Sequence, residues 1–369
     1  MDFSFFDIIM FAFALPDSNY NLAWDTDNAP YLLRSLVSSA HQAGSSVMLS
    51  IGGWTGSQHF SRAVSPENRE TFTNNILAVY HEYDLDGIDI DWEYPGQRSQ
   101  PGNDESPDDT ANMLQFFQLL RTKLPQGAWI SAAVQDSPFV DQDGHPIKDA
   151  SGFAKQVNFI TLMNYDTFET SSPPGPNAPL YDGCNNSSQP SENAVAAYNA
   201  WTGAGFPSSQ IVLGLPLYGY IVPSGASNLR QRSPNPRIAR SSDDSGQIQF
   251  DDLVVQQILS RNPDGSFTPT GGFTRSWDGC SATPFLHSGR QVIPYDDPES
   301  LGAKAAWARQ VRLGGVNLFD LHGDTFQWDL TKAVRSSLIG ANPSPTNPSS
   351  PTSPTSITPS PLIILPLIP

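Results

Sequence analysis

One short stretch concentrates acids in a pattern chemistry can use: Asp86-Gly87-Ile88-Asp89-Ile90-Asp91-Trp92-Glu93. Its apolar residues suit an extended strand, on which side chains alternate between faces. Asp89, Asp91 and Glu93 then share one face, and Ile88, Ile90 and Trp92 the other. The Ile/Trp face suits packing under a helix, which leaves three carboxylates pointing inward. Same-face neighbours on a strand lie about 6.6 Å apart, within reach of one another's side chains. Three anions in a poorly hydrated interior repel, and burial itself disfavours charge. At least one proton should therefore be held among them, with a raised apparent pKa that belongs to the group. A protonated carboxyl at the end of such a ladder is what a general acid needs near neutral pH, and Glu93 stands last, at the C-terminal end of the strand. Two plainer uses compete, structural ion pairs and a Ca²⁺ site. Lys and Arg are sparse in the other strand-like segments, and a calcium loop usually carries Gly and Asn in a turn, not Ile in a strand. Acid catalysis is the expectation.

The elements that must position these acids are legible as apolar runs: Ile8–Ala14, Ser46–Ile51, Gly87–Trp92, Trp129–Val134, Phe159–Tyr165, Ile211–Leu217 and Gly315–Leu321. Rich in Ile, Val, Leu and Phe, they read as strands of a buried parallel sheet. Between them lie helical patterns. Ser65-Pro66 and Ser106-Pro107 each offer a serine N-cap followed by proline at the first helical position. Behind them Phe72, Ile76, Val79, Tyr80 and then Met113, Phe116, Phe117, Leu120 recur at three- and four-residue steps. Repeated β-α alternation predicts a parallel α/β fold. Eight units would close a TIM (β/α)8-type barrel, with catalytic groups at the C-terminal ends of its strands. Seven strands are visible, which keeps an open doubly wound sheet as the alternative. Residues 221–293 are polar and rich in Gly, Pro and Ser and read as an inserted α+β lobe. Residues 341–369 form a Pro/Ser/Thr-rich tail, expected to be a disordered spacer. Its terminal apolar patch, Pro361-Leu362-Ile363-Ile364-Leu365-Pro366, is too short to span a bilayer.

The chain has 369 residues and a formal net charge of −17 from 20 Lys+Arg and 37 Asp+Glu. That balance argues against nucleic acid and anionic membranes as partners, both of which call for clustered basic residues. A neutral sugar meets no such conflict. No stretch has the roughly 20 apolar residues of a membrane helix. The two cysteines, Cys184 and Cys280, allow at most one disulfide, and no Cys/His cluster has metal-ligand spacing. No GxGxxG or GxxxxGK[ST] loop appears, so nucleotide chemistry lacks its usual cradle. The opening residues lack the basic and apolar regions of a signal peptide.

The acidic strand resembles the DxxDxDxE signature of glycoside hydrolase family 18, the chitinase family. Ser50-Ile51-Gly52-Gly53-Trp54 resembles the family's SxGG strand end, Met163-Asn164-Tyr165-Asp166 its MxYD motif, and Gly214-Leu215-Pro216-Leu217-Tyr218-Gly219 its penultimate strand. Gly315–Asp324 resembles the final strand, and the insertion falls where many members carry their α+β lobe. The resemblance spans about residues 5 to 338 and is strongest to fungal chitinases. It implies hydrolysis of β-1,4-linked N-acetylglucosamine polymers with Glu93 as proton donor and the substrate's own 2-acetamido group as nucleophile, a recognised exception to the two-carboxylate rule. Asp91 would hold the acetamido N–H and Asp89 would share a proton with it. Tyr165 would bind the acetamido oxygen, with Asp166 on the distorted sugar. Gly53, Trp54, Tyr94, Met163, Tyr218, Trp277 and Phe319 are the expected substrate contacts, and Trp92 is expected in the core. The partner would be chitin or chitooligosaccharides, bound by a monomer without metal or cofactor. Two alternatives share the motif: a chitin-binding, lectin-like protein, and an endo-β-N-acetylglucosaminidase acting on N-glycans. Three departures stand out. Phe11-Ala12-Phe13-Ala14 resembles the family's second strand with no first strand before it, which predicts a barrel lacking one strand and a start that lies upstream with a signal peptide. Phe319 stands where a tryptophan floor is common. Tails of this composition often lead to a chitin-binding module, and the 369 residues hold none. Asn185-Asn186-Ser187-Ser188 holds overlapping glycosylation sequons, and with the stalk-like tail it points to an extracellular protein.

Overall fold

The computed structural model describes residues 2–97, 99–229, 246–340 and 361–368. Eight parallel strands form a closed barrel: β1 (Ile8–Pro16), β2 (Ser46–Gly52), β3 (Gly87–Asp91), β4 (Trp129–Val134), β5 (Phe159–Leu162), β6 (Ile211–Pro216), β7 (Gly315–Phe319) and β8 (Leu362–Leu367). Each pairs with its neighbour in chain order, and β8 closes the ring by pairing with β1 as well as β7. The outward faces carry Ile9, Phe11, Leu49, Ile88, Ile90, Ile130, Leu213 and Val316, all buried in one continuous core with the surrounding helices. Full burial of such side chains stabilises by roughly 1.5–3 kcal/mol each. Trp92 joins this outer core, stacked on Phe60 with ring centroids 5.3 Å apart. The inner face of the lower barrel is also apolar, with Ile8, Met10, Met48, Phe159, Val212 and Ile364 in contact. The barrel is therefore a filled core with its working surface at one end.

The eighth strand corrects two expectations. The barrel does not lack a strand, and the tail is not wholly a disordered spacer. Residues 341–360 lie outside the described residues, but Leu362–Leu367 sits between β7 and β1, where Ile364 pairs with Asn317 on one side and Ile8 on the other. The physical reason is the cost of an open barrel. Seven strands would leave the edges of β1 and β7 with unpaired N–H and C=O groups and an apolar slot between them. The run Leu-Ile-Ile-Leu supplies both the backbone partners and an alternating pair of faces. Ile363 and Leu365 enter the outer core and Ile364 the inner one.

Helices also start later than expected. The helices Arg69–Glu82 and Asp109–Lys123 begin one turn beyond Ser65-Pro66 and Ser106-Pro107. There the serine carbonyls accept the first turns' N–H groups, Ser65 from Asn68 and Arg69 and Ser106 from Asp109. After β6 the strand Tyr218–Tyr220 pairs antiparallel with Gln247–Gln249. A four-stranded sheet of Thr274–Asp278, Thr283–His287, Gln291–Pro294 and Val222–Pro223 completes most of the inserted lobe. Cys184 and Cys280 are disulfide-bonded, which ties the loop after β5 to this lobe across 96 residues of sequence. Below the lobe, the fully buried Lys304 ammonium donates to Asp296 Oδ1 at 2.6 Å.

Candidate active site

Strand β3 does with its acids what alternation dictates. Asp89 is fully enclosed inside the barrel, where Oδ2 accepts from Ser50 Oγ at 2.7 Å and Oδ1 from Ser131 Oγ at 2.6 Å. Those serines come from β2 and β4, one on each side. Burial pushes the Asp89 carboxyl above the usual range, with the two hydroxyls pulling the other way. Asp91, one step along the same face, is buried at the base of the upper cavity. Its main-chain oxygen accepts from Gly53 N–H at 2.8 Å. That approach requires Gly52 as it is: φ is +115°, and a Cβ would lie 2.1 Å from the Asp91 oxygen.

Glu93 follows the strand, buried, and lines the cavity. Its backbone is pinned on both sides. The Glu93 N–H donates to Ser57 Oγ at 2.8 Å, and that hydroxyl donates in turn to Gly53 O at 2.8 Å. The Glu93 carbonyl accepts from Ser99 Oγ. The loop beyond is anchored by the buried Asp109 carboxylate, which accepts from Ser61 Oγ, Gly96 N–H and Ser106 N–H at 2.6, 3.1 and 2.9 Å.

The end of β5 contributes the second group of polar residues. The buried ring of Tyr165 stacks on Phe319 from β7 at 5.8 Å and 19° and meets Tyr218 edge-on. Asp166 adopts left-handed φ (+60°), held by its N–H donating to Asn177 Oδ1 at 3.0 Å. Its Oδ1 accepts from the hydroxyls of both Tyr218 (2.6 Å) and Tyr220 (2.7 Å). Burial, and then the Asp166 charge, lifts the Tyr218 phenol well above its usual value, so it remains a donor.

These groups face one cavity of about 1310 Å³ including its open mouth. Gly53, Trp54, Asp91, Glu93, Met163, Tyr165, Asp166, Tyr218 and Phe319 all line it, nine of the twelve residues singled out in the sequence. Three do not. Asp89 lies deeper, on a smaller cavity of about 350 Å³ shared with Ser50, Asp91 and Thr161. Tyr94 packs half-buried against the cluster of Met163, Tyr165 and Tyr218. Trp277 lies apart from the cavity. It lies on the lobe strand Thr274–Asp278, exposed, with the Arg275 guanidinium 5.6 Å over its ring, and it is not part of the cavity wall. An aromatic in a polar insertion carries no register with the barrel, so no local pattern sets its direction.

Sequence reasoning missed Phe13, Thr55, Glu169, Tyr220, Gln247, Gln249, Asp320 and Ile368, all on the cavity wall. Tyr220 had a usable signal, since it stands two residues after Tyr218 and so shares its face. Ile368 had none, because it follows the unforeseen β8. Among the described lining residues are five carboxylates and no Lys, Arg or His. Elsewhere among the described residues, Asp141, Asp143 and His145 come close enough to share a cation. They are exposed in a turn where Asp141 Oδ1 accepts the N–H of Asp143 and of His145, which accounts for the grouping.

Comparison with known proteins gives a consistent result. Residues 2–324 match the family described as glycosyl hydrolases family 18. The chain is 35% identical over 358 residues to a chitinase-like effector of Moniliophthora roreri, covering 89% of this chain and 86% of that protein. It is 29% identical over 303 residues to chitinase A1 of Niallia circulans, covering 75% of this chain and 40% of that one. Among solved structures, a chitinase from Rhizomucor miehei superimposes with a TM-score of 0.79 at 31% identity, over 91% of this chain and 95% of the other.

Proposed function

The chain belongs to glycosyl hydrolases family 18, and on that footing we propose that it is a chitinase cleaving β-1,4 linkages within N-acetylglucosamine polymers, with Glu93 as proton donor. The observation that carries this reading is the convergence of Glu93, Asp91, Tyr165 and Asp166 on a single cavity, with Asp89 beneath them. The Glu93 carboxyl gives its proton to the glycosidic oxygen as the bond from that oxygen to the anomeric carbon breaks. The carbonyl oxygen of the same sugar's 2-acetamido group closes onto the anomeric carbon, forming a cyclic oxazolinium ion. Asp91 accepts the acetamido N–H and offsets the positive charge, and the Tyr165 hydroxyl orients the acetamido oxygen. The proton that Asp89 and Asp91 share relieves their mutual repulsion. Water, deprotonated by the now ionised Glu93, opens the ring from the face the leaving group left, so the β configuration is retained. Phe319 and Trp54 offer apolar ring faces to the C–H faces of the sugars.

Glu93→Gln keeps the size and hydrogen bonding of the side chain and removes the proton. Turnover of chitooligosaccharides should fall by at least about 10²-fold, with binding retained. Proton NMR of the first products of the parent chain should show the β anomer. Undiminished turnover in the variant, or α product, defeats the reading.

A second reading is favoured by the names of two relatives, the chitinase-like effectors of Moniliophthora roreri and Moniliophthora perniciosa: a protein that holds chitin without cleaving it. Release of a chromophore from a chitobiose glycoside, run beside a chitin pull-down, separates the two. Binding without release supports the second.

A further inference from the structure

We infer that Tyr220, acting with Tyr218, is a positioning residue: their two hydroxyls lock the Asp166 carboxylate so that its other oxygen, Oδ2, is presented to accept a hydrogen bond from a hydroxyl of the bound sugar. This rests on the glycosidase reading and assigns a further residue to the same site. Tyr218 and Tyr220 occupy alternate positions of one short strand and therefore share a face. Both hydroxyls reach the same atom, Asp166 Oδ1, at 2.6 and 2.7 Å. Two donors fill the acceptor sites of that oxygen and fix rotation of the carboxylate about its last bond. Among the described residues Oδ2 accepts no hydrogen bond, and Asp166 belongs to the cavity wall. The main chain is braced as well. Asn177 accepts the Asp166 N–H through Oδ1 at 3.0 Å and donates through Nδ2 to Tyr218 O at 3.1 Å. One asparagine thus ties the left-handed residue to the strand that carries its clamp.

The choice of phenols has a chemical consequence. A guanidinium in their place would neutralise the carboxylate. Phenols are neutral donors and bring no countercharge to the site, and a carboxylate acceptor makes the stronger hydrogen bond to a sugar hydroxyl. Holding it in place beforehand spares the sugar the cost of ordering it.

The test is Tyr220→Phe, which keeps the ring and removes the hydroxyl, in the full chain with unfolding midpoints measured alongside. Chromophore release from a chitobiose glycoside should show kcat/KM about tenfold lower, as for loss of a hydrogen bond to a charged group, with the larger share in kcat. Asp166→Asn should be slower still. Adding Tyr220→Phe to Asp166→Asn should change the rate by less than about twofold, because the clamp works through Asp166. Chitotetraose should also bind the Glu93→Gln chain measurably more weakly once Tyr220→Phe is added. Parental rates in Tyr220→Phe, or its full effect persisting beside Asp166→Asn, overturn the clamp while leaving the glycosidase reading intact. A parent chain that binds chitotetraose without cleaving it overturns the glycosidase reading, and the binding comparison alone then decides the clamp. A parent that neither binds nor cleaves removes both.

Discussion

At the scale of single residues, the site depends on small hydroxyls as much as on its carboxylates. Ser57 accepts the Glu93 N–H and donates to Gly53 O within a buried turn. Ser57→Ala leaves that N–H without its acceptor. It should cost about 1–3 kcal/mol of stability and lower kcat more than it raises KM, as read by urea unfolding and steady-state kinetics. Asp89 gives a pH test. Its carboxyl is raised by burial in the folded protein, so the native state holds this proton at pH values where the unfolded chain has released it. Stability from this group is therefore fully present below the unfolded pKa and is lost as pH rises through the raised folded value. Asp109, Asp296 and Asp324 are raised in the same direction, each by burial first. Asp89→Asn should flatten the decline in urea midpoint above pH 4 by its own share and leave the rest. An unchanged slope would show that the proton is not held there. The three acids were legible in the sequence because strand parity is strict, whereas Ser57 and Phe13 were not. Ser57 lies in a short turn with no face to read, and Phe13 shares by parity the outward face of Ile9 and Phe11 until a register shift between Ala12 and Ala14 breaks the alternation.

At the scale of elements, seven barrel strands were legible as apolar runs, with ends one to three residues off at most. The eighth was hidden by its neighbourhood. Leu362–Leu367 follows a run of Pro, Ser and Thr, and local composition predicts a spacer. Only the slot between β1 and β7, a long-range fact, gives the segment a partner. Its contribution can be measured. Ile364 is fully buried in the inner layer against Ile8, Met10 and Met48. Ile364→Ala should cost about 2–5 kcal/mol. Ile364→Asp would bury a charge without a partner and should prevent cooperative unfolding altogether. Hydrogen exchange should show β1 and β7 amides losing protection first in the alanine variant. Equal protection in the two chains would place β8 outside the barrel.

At the scale of the whole molecule, charge and cross-links set the behaviour. The net charge of −17 and a wall of five carboxylates suit an uncharged polymer. Affinity for neutral chitotetraose should change little between low and moderate salt, measured by calorimetry, whereas the unfolding temperature should rise as salt screens self-repulsion. The Cys184–Cys280 bond closes a long loop between barrel and lobe. Replacing both cysteines with serine should cost about 2–5 kcal/mol, with protection lost first in the loop after β5. The closing strand also gives synthesis an order. Of the eight strands it leaves the ribosome last, some forty residues after the end of β7. Until it emerges, β1 and β7 each offer a bare edge to any passing strand. A nascent chain stalled before residue 362 is therefore the form of this protein most exposed to aggregation and most in need of a chaperone.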